Sequence, residues 1–481
     1  MKSLKLMAAM AAMILAGGCG MEDVEKTDQE SIPAVADVTQ PPTTLPVSKP
    51  AVTAAVSTAN TTRPAVTTAA VTSTAQPAAS APAKPAAQSQ PASQNYDVTD
   101  YVYEETGGAE QTYEPPAQPS QGQPAQPAPS KPSRSGLSPG EVLDTMSLRE
   151  KVCQMFIVAP ESFAGSTVQW WNDQWYSMKY ADYPVGGFIL FSANISYSDQ
   201  LRTLTSSLQS SAKSCGIGAF IAVDEEGGSI TRVCCKLGTT AVNNMAWYGA
   251  NSDTGQVKDA GNIIGSYLAD YGFNVDFAPV ADVNISSANE LGNRIFSSDP
   301  GVVSDMSAAF VEGLHSGGVC STLKHFPGLG AGNGNTHYGT VVIDRSHDQL
   351  AETEFRAFGG GIQAGSDFVM VGHQITTGSG DDAPGDFSHV VVTDWLRGEL
   401  GFDGLAITDS QAMGAIANSY SSGEAAVRAI DAGIDIILMP ADLRGAVSGV
   451  EEAVKNGTLS EERINESVLR ILEKKQEYGI F

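Results

Sequence analysis

Basic residues are in short supply: 28 Lys and Arg stand against 54 Asp and Glu in 481 residues, a formal net charge of −26. That imbalance excludes nucleic acid and anionic lipid headgroups as partners, since both would be repelled, and leaves a neutral or cationic ligand. Cysteine is scarce too, and Cys153, Cys215, Cys234, Cys235 and Cys320 lack the CxxC spacing of a zinc site. Most of them fall in or beside apolar runs and read as packed thiols, although export would permit a disulfide. The six histidines form no HxH or HExxH arrangement, so neither a metal nor another cofactor is expected. GxGxxG after a first strand and GxxxxGK[ST] anywhere are also missing, which removes the usual phosphate cradles.

Large apolar residues are few over 20–136, where Ala, Pro, Thr, Ser and Gln dominate. Burial there cannot offset a chain entropy of roughly 1–2 kcal/mol per residue, so the segment reads as a disordered Pro/Thr/Ala-rich linker. Tyr96, Tyr101, Tyr103 and Tyr113, with adjacent acids, alone break its monotony. Residues 1–19 have the parts of an export signal: Lys2 and Lys5, an apolar run over 6–16, then small residues before Cys19. Leu15-Ala16-Gly17-Gly18-Cys19 resembles a bacterial lipobox, with its large aliphatic residue one position early. On that reading Cys19 carries lipid, and the chain is an extracytoplasmic lipoprotein held at the cell membrane.

What remains, 137–481, alternates short apolar runs with longer amphipathic stretches, the pattern of repeated βα units. Strands are predicted over 154–159, 187–192, 219–224, 275–282, 319–325, 368–373, 405–409 and 434–439. Helices are predicted over 198–214, 254–271, 304–316, 348–364 and 424–432. Eight units in about 345 residues match an α/β fold of the (β/α)8 TIM-type barrel. A doubly wound sheet is the main competitor. Against it, Asp224, Asp282, the adjacent Lys324 and His325, His373 and Asp409 sit at the carboxyl ends of five different strands, where a barrel gathers its catalytic groups.

Three segments carry the chemistry. Ile221-Ala222-Val223-Asp224-Glu225-Glu226-Gly227-Gly228 leads a carboxylate out of a buried strand into a turn that a ligand can approach closely. Leu323-Lys324-His325-Phe326-Pro327-Gly328 presents two polar tips at a strand end. Leu405-Ala406-Ile407-Thr408-Asp409 caps an apolar strand with one aspartate.

In this order the segments resemble glycoside hydrolase family 3, in its β-N-acetylhexosaminidase branch with a single barrel domain. Further matches are Glu150 to Met155, placed on the first strand, Phe277-Ala278-Pro279-Val280-Ala281-Asp282, and Gly292-Asn293-Arg294-Ile295-Phe296. The resemblance implies retaining exo-hydrolysis of terminal β-N-acetylglucosaminides from cell-wall or chitin-derived fragments. It implies Asp409 as nucleophile, His337 as general acid/base, and Asp224, Arg294, Lys324 and His325 as ligands of the sugar hydroxyls. His373 is a weaker match with a supporting role, and a monomer is the simple expectation.

One departure from the family pattern stands out. The branch has Asp-Ser/Thr-His in the loop after the Lys-His strand, its aspartate orienting and charging the histidine, whereas here the loop reads Asn335-Thr336-His337. An amide can fix a tautomer but cannot stabilise an imidazolium by charge. His337 can therefore work with Asn335 at a lower rate, borrow another carboxylate such as Asp344, or stand in a domain that binds sugar without cleaving it. The retained Asp409, Lys324, His325 and Arg294 favour the first two. A wall-tethered sugar-binding protein, a β-glucosidase and a phosphorylase remain the alternatives.

Overall fold

The computed structural model describes Arg134, residues 136–171 and residues 174–481. The export signal, Cys19 and nearly all of the 20–136 linker lie outside the described residues. Eight short, wholly buried runs form parallel strands. They are β1 (Phe156–Val158), β2 (Gly187–Ile189), β3 (Phe220–Val223), β4 (Val275–Asp276), β5 (Thr322–Phe326), β7 (Phe368–Val371), β9 (Leu405–Thr408) and β10 (Ile437–Leu438). Two further strands of two residues, β6 (Val342–Ile343) and β8 (Ile375–Thr376), pair with each other between them.

Five of the eight pair in the order β10-β1-β2-β3-β4 and three in the order β5-β7-β9. Isolated parallel bridges span the two seams, Val275 to Cys320 and Val280 to Lys324 at one and Ile407 to Ile436 at the other. The expected barrel is thus met as a TIM-barrel-like α/β fold whose strands divide into two parallel sheets. At one seam the regular ladder is interrupted by Pro279, which has no N–H to donate. Pairing continues there by separate bonds, from Thr322 N to Ala278 O at 2.8 Å and from Ala281 N to Lys324 O at 2.7 Å.

Helix Ser198–Ser214 has its predicted bounds and buries Leu201, Leu204, Leu208 and Ala212, one apolar stripe. Helix Thr254–Asp270 starts where the Asp253 side chain accepts from Gln256 N, and it lies against helix Pro300–Ser316. Their close approach needs glycine: a Cβ on Gly261 would stand 2.6 Å from Phe310 O, and one on Gly313 would stand 2.3 Å from Lys258 O. Inside the strands, Phe220 and Phe368 meet edge to face at 5.3 Å, each buried ring contributing about 1.5–3 kcal/mol.

Two expectations are corrected. Residues placed on the first strand belong to helix Leu148–Gln154, because Ser147 and Glu150 form a reciprocal capping box that starts a helix there. The predicted helix over 348–364 is two helices, His347–Glu352 and Glu354–Gln363, broken at Thr353, whose backbone is non-helical. The other strands are shorter than predicted at one or both ends, except that β5 runs one residue further. With all eight parallel, their carboxyl ends open to one side.

Candidate active site

A cavity of about 130 Å³ opens at those carboxyl ends. Asp224, Arg294, Lys324, His325, His337 and Asp409 all line it, so the structure gathers six sequence-predicted residues from four loops and one strand. His373 and Asn335 are outside its lining.

Its floor on one side is a chain of charges. Lys324, on β5, places Nζ 2.8 Å from Asp224 Oδ1 and 2.6 Å from Glu226 Oε1. Arg294 grips the same Glu226 with two parallel bonds, Nε and Nη2 each donating at 2.8 Å. Burial alone would raise the Glu226 carboxyl, but the Arg294 and Lys324 charges outweigh it and hold the group well below the usual carboxylate range. Burial likewise works against the Lys324 ammonium, and Asp224 and Glu226 more than compensate, raising its pKa. These are directional, charge-assisted donors and acceptors of the kind that fix a polyhydroxylated ligand.

His325 is held by Asp282. The imidazole Nδ1 lies 2.8 Å from Asp282 Oδ2, which also accepts the His325 backbone N–H at 3.0 Å, while Oδ1 accepts from Leu329 N. A carboxylate can only accept, so Nδ1 carries the proton and Nε2 is the nitrogen left for the cavity.

Asp409 follows β9. Its backbone N–H donates to Val371 O, and its Oδ1 accepts from Ser410 N at 2.7 Å. Burial raises this carboxyl, but the charges of His373 and His325, the Ser410 N–H and His337 together bring it below its ordinary value. An anionic carboxylate facing a cavity is a competent nucleophile. His373 acts behind it: its Nε2 donates to Ser410 O, and Asp386 lies beside Nδ1.

His337 is on the exposed loop between β5 and β6. Gly414 N donates to His337 O at 3.0 Å and Ala415 N to Thr336 O at 3.2 Å, tying this loop to the turn beyond Asp409. Asn335 does not meet the imidazole. Its Oδ1 accepts from the backbone N–H of His337 at 2.9 Å, a local turn bond. Asp344 is exposed, takes the Thr377 hydroxyl at 3.1 Å and is not part of the cavity, so it is no substitute partner for His337.

Two carboxylates in the cavity wall had no assigned role in the sequence. Glu226 was visible only as part of the Asp-Glu-Glu-Gly-Gly run, and Glu290 carried no motif at all. Among the described residues no group of three or more His, Cys, Asp or Glu side chains is arranged to hold a metal ion.

Parallel strands that bring carboxylates, three cations and two imidazoles to one cavity at their carboxyl ends define a barrel-type α/β protein with a polar site there. The family described as Glycosyl hydrolase family 3 N terminal domain matches residues 147–474, and the chain belongs to it. Beta-hexosaminidase A of Pseudoalteromonas piscicida is 32% identical over 320 residues, covering 61% of this chain and 53% of that protein. A Beta-hexosaminidase of Stenotrophomonas maltophilia (strain K279a) is 34% identical over 264 residues, 53% of this chain and 76% of the relative. The solved structure of a glycoside hydrolase family 3 beta-N-acetylglucosaminidase from Paenibacillus sp. str. FPU-7 superposes with a TM-score of 0.66 at 33% identity. That match covers 70% of this chain and 63% of the other. The chain spans about half the length of the Pseudoalteromonas protein.

Proposed function

We propose that the chain is a retaining exo-β-N-acetylhexosaminidase acting on terminal β-N-acetylglucosaminides. The observation that carries this reading is Asp409, half-buried, anionic and hydrogen-bonded to Ser410 N, in one cavity with the Asp224–Lys324–Glu226–Arg294 cluster and His337. The names of the relatives point the same way.

In the first step a carboxylate oxygen of Asp409 attacks the anomeric carbon. The bond from that carbon to the glycosidic oxygen breaks, and His337 gives its proton to the departing oxygen. In the second, His337 takes a proton from water as the water oxygen attacks the same carbon, and Asp409 leaves as carboxylate. Asp224, Lys324, Arg294 and His325 hold the sugar hydroxyls throughout. The substrate class is cell-wall or chitin-derived fragments, met at the outer face of the cell membrane to which lipidated Cys19 would anchor the chain. Labelling with a palmitate analogue that persists in Cys19→Ala would dismiss the anchor.

Release of nitrophenol from its β-N-acetylglucosaminide, by the wild-type chain and by Asn335→Asp, tests the reaction. No turnover in either ends the hydrolase reading. The second reading, a sugar-binding protein with impaired catalysis, draws on the Asn335 amide turned away from the imidazole. Isothermal titration with N-acetylglucosamine oligomers separates the two, since a pure binder holds them without shortening them. Comparing rates in phosphate and in a neutral buffer tests phosphorolysis, with phosphate taking the place of water.

A further inference from the structure

Glu290 comes from the loop after β4, yet it is bound to the loop after β5. Its Oε1 accepts two hydrogen bonds from one residue, the backbone N–H of Thr336 at 3.0 Å and the Thr336 hydroxyl at 2.9 Å. Thr336 is buried, His337 is next in the chain, and Glu290, Thr336, His337 and Asp409 share the cavity wall. Asn335, which stands where the family pattern has an aspartate, spends its acceptor on the His337 backbone. The carboxylate fastened to this loop therefore comes from outside it.

We propose that Glu290 is the positioning residue for the His337 imidazole. By clamping Thr336 it sets where the ring stands over the glycosidic oxygen, and it brings to the loop the negative charge that Asn335 cannot. This rests on the hydrolase reading. Both clamp bonds are charge-assisted, roughly twice as strong as neutral ones. A proton donor displaced by about 1 Å can cost about 10²-fold in rate, so two bonds on the neighbouring residue are a sufficient lever.

The test compares two leaving groups, N-acetylglucosamine in the disaccharide, which must be protonated, and dinitrophenolate, which need not be. Glu290→Ala is expected to lower kcat/KM on the disaccharide about 10²-fold, through kcat with KM little changed, and to lower kcat/KM on the dinitrophenyl substrate, which reports the first step alone, by about tenfold or less. Glu290→Gln should fall between, because an amide oxygen keeps both bonds without the charge. Thr336→Ser should restore what Thr336→Val loses. Amide exchange at Thr336, read by mass spectrometry, should quicken in Glu290→Ala, whatever the activity.

Equal losses on both leaving groups, or unchanged exchange at Thr336, would overturn the positioning role while leaving the hydrolase reading standing. So would an active wild-type chain whose Glu290 variants match it. A wild-type chain that releases neither group overturns the hydrolase reading, and the role of Glu290 falls with it.

Discussion

The Nε2–H of His373 is directed at the carbonyl oxygen of Ser410, 2.9 Å away and one residue beyond Asp409. On its other side Nδ1 is 3.1 Å from Asp386 Oδ1, with both side chains fully buried. Burial works against the imidazolium, but the Asp386 charge, with Asp409 beyond it, outweighs burial and pushes His373 up to about 9. A charged His373 donates to Ser410 O and faces the Asp386 carboxylate as an ion pair, bracing the turn that carries Asp409.

The stability of the protein should therefore depend on this group. Its folded pKa lies above the ordinary 6.5, so its contribution is complete below about pH 6.5 and is lost as pH rises through about 9. The amount is on the order of 3 kcal/mol, the free energy that separates protonation at 6.5 from protonation at about 9. Thermal unfolding at pH 6.5 and pH 9.5 should show the wild-type chain losing stability at the higher pH and His373→Gln losing much less. Identical pH dependence in the two proteins would remove the ion pair from this account.

A second prediction concerns Glu226, which binds two cations at once. Glu226→Gln would leave the Arg294 guanidinium without an anion and Lys324 with Asp224 alone. Breaking a buried pair costs about 3–5 kcal/mol, and the remaining Asp224 places the expected loss near the lower end. Since the Glu226 carboxyl is held below its ordinary 4.5, the stabilisation is present above that pH and fades as pH falls. Urea unfolding measures the loss, and KM for the sugar should rise because Lys324 and Arg294 lose their orientation. A variant as stable as wild type at pH 7 would mean the cluster is held by something else.

Much of this site could be read before any coordinates. Asp224, Lys324, His325 and Asp409 are legible because a parallel strand delivers its last residue to one face, whatever the detail of the loops. Arg294 became visible through a motif. Glu290 did not, because its partner Thr336 lies on a different long loop, and nothing local to either segment encodes that meeting. The same limit explains Asn335. Its position in the motif is plain, but whether the amide faces the imidazole or its own backbone is decided by the turn that the loop adopts. At the other end of the fold, an apolar run led the first strand to be placed too early, although Ser147 and Glu150 already spelled a helix start.

Asn335→Asp should be a gain-of-function change. A carboxylate oxygen can accept the His337 N–H as the amide does, at the observed 2.9 Å, so the turn is kept and a charge is added. We expect kcat on the disaccharide to rise about tenfold, a fraction of the 10²–10⁴-fold that general acid catalysis can contribute. The alkaline limb of the kcat profile should move to higher pH as the imidazolium is stabilised. Adding the change to Glu290→Gln should recover more activity than it adds to the wild type, because each then supplies what the other lacks. Strict additivity in that double-mutant cycle would show that the two side chains do not serve the same histidine.

Gly414 tests the other tether of the loop. Its N–H donates to His337 O at 3.0 Å, and a methyl group at its Cα would stand 2.8 Å from Tyr338 O and 2.9 Å from His337 O. Both are backbone atoms, which cannot rotate aside, so Gly414→Ala must push the His337 segment away from the turn that follows Asp409. The strain is about 1–3 kcal/mol where the surroundings are packed, and less here, where His337 and Tyr338 are exposed and the loop can yield. Stability should accordingly change little. The yielding itself is what matters for rate, because a shift of about 1 Å at a proton donor costs about 10²-fold. We expect kcat/KM on the disaccharide to fall by about that factor, with a smaller fall in kcat/KM on the dinitrophenyl substrate and a melting temperature close to wild type. Full disaccharide activity in Gly414→Ala would mean that the close approach of these loops has no bearing on where His337 works.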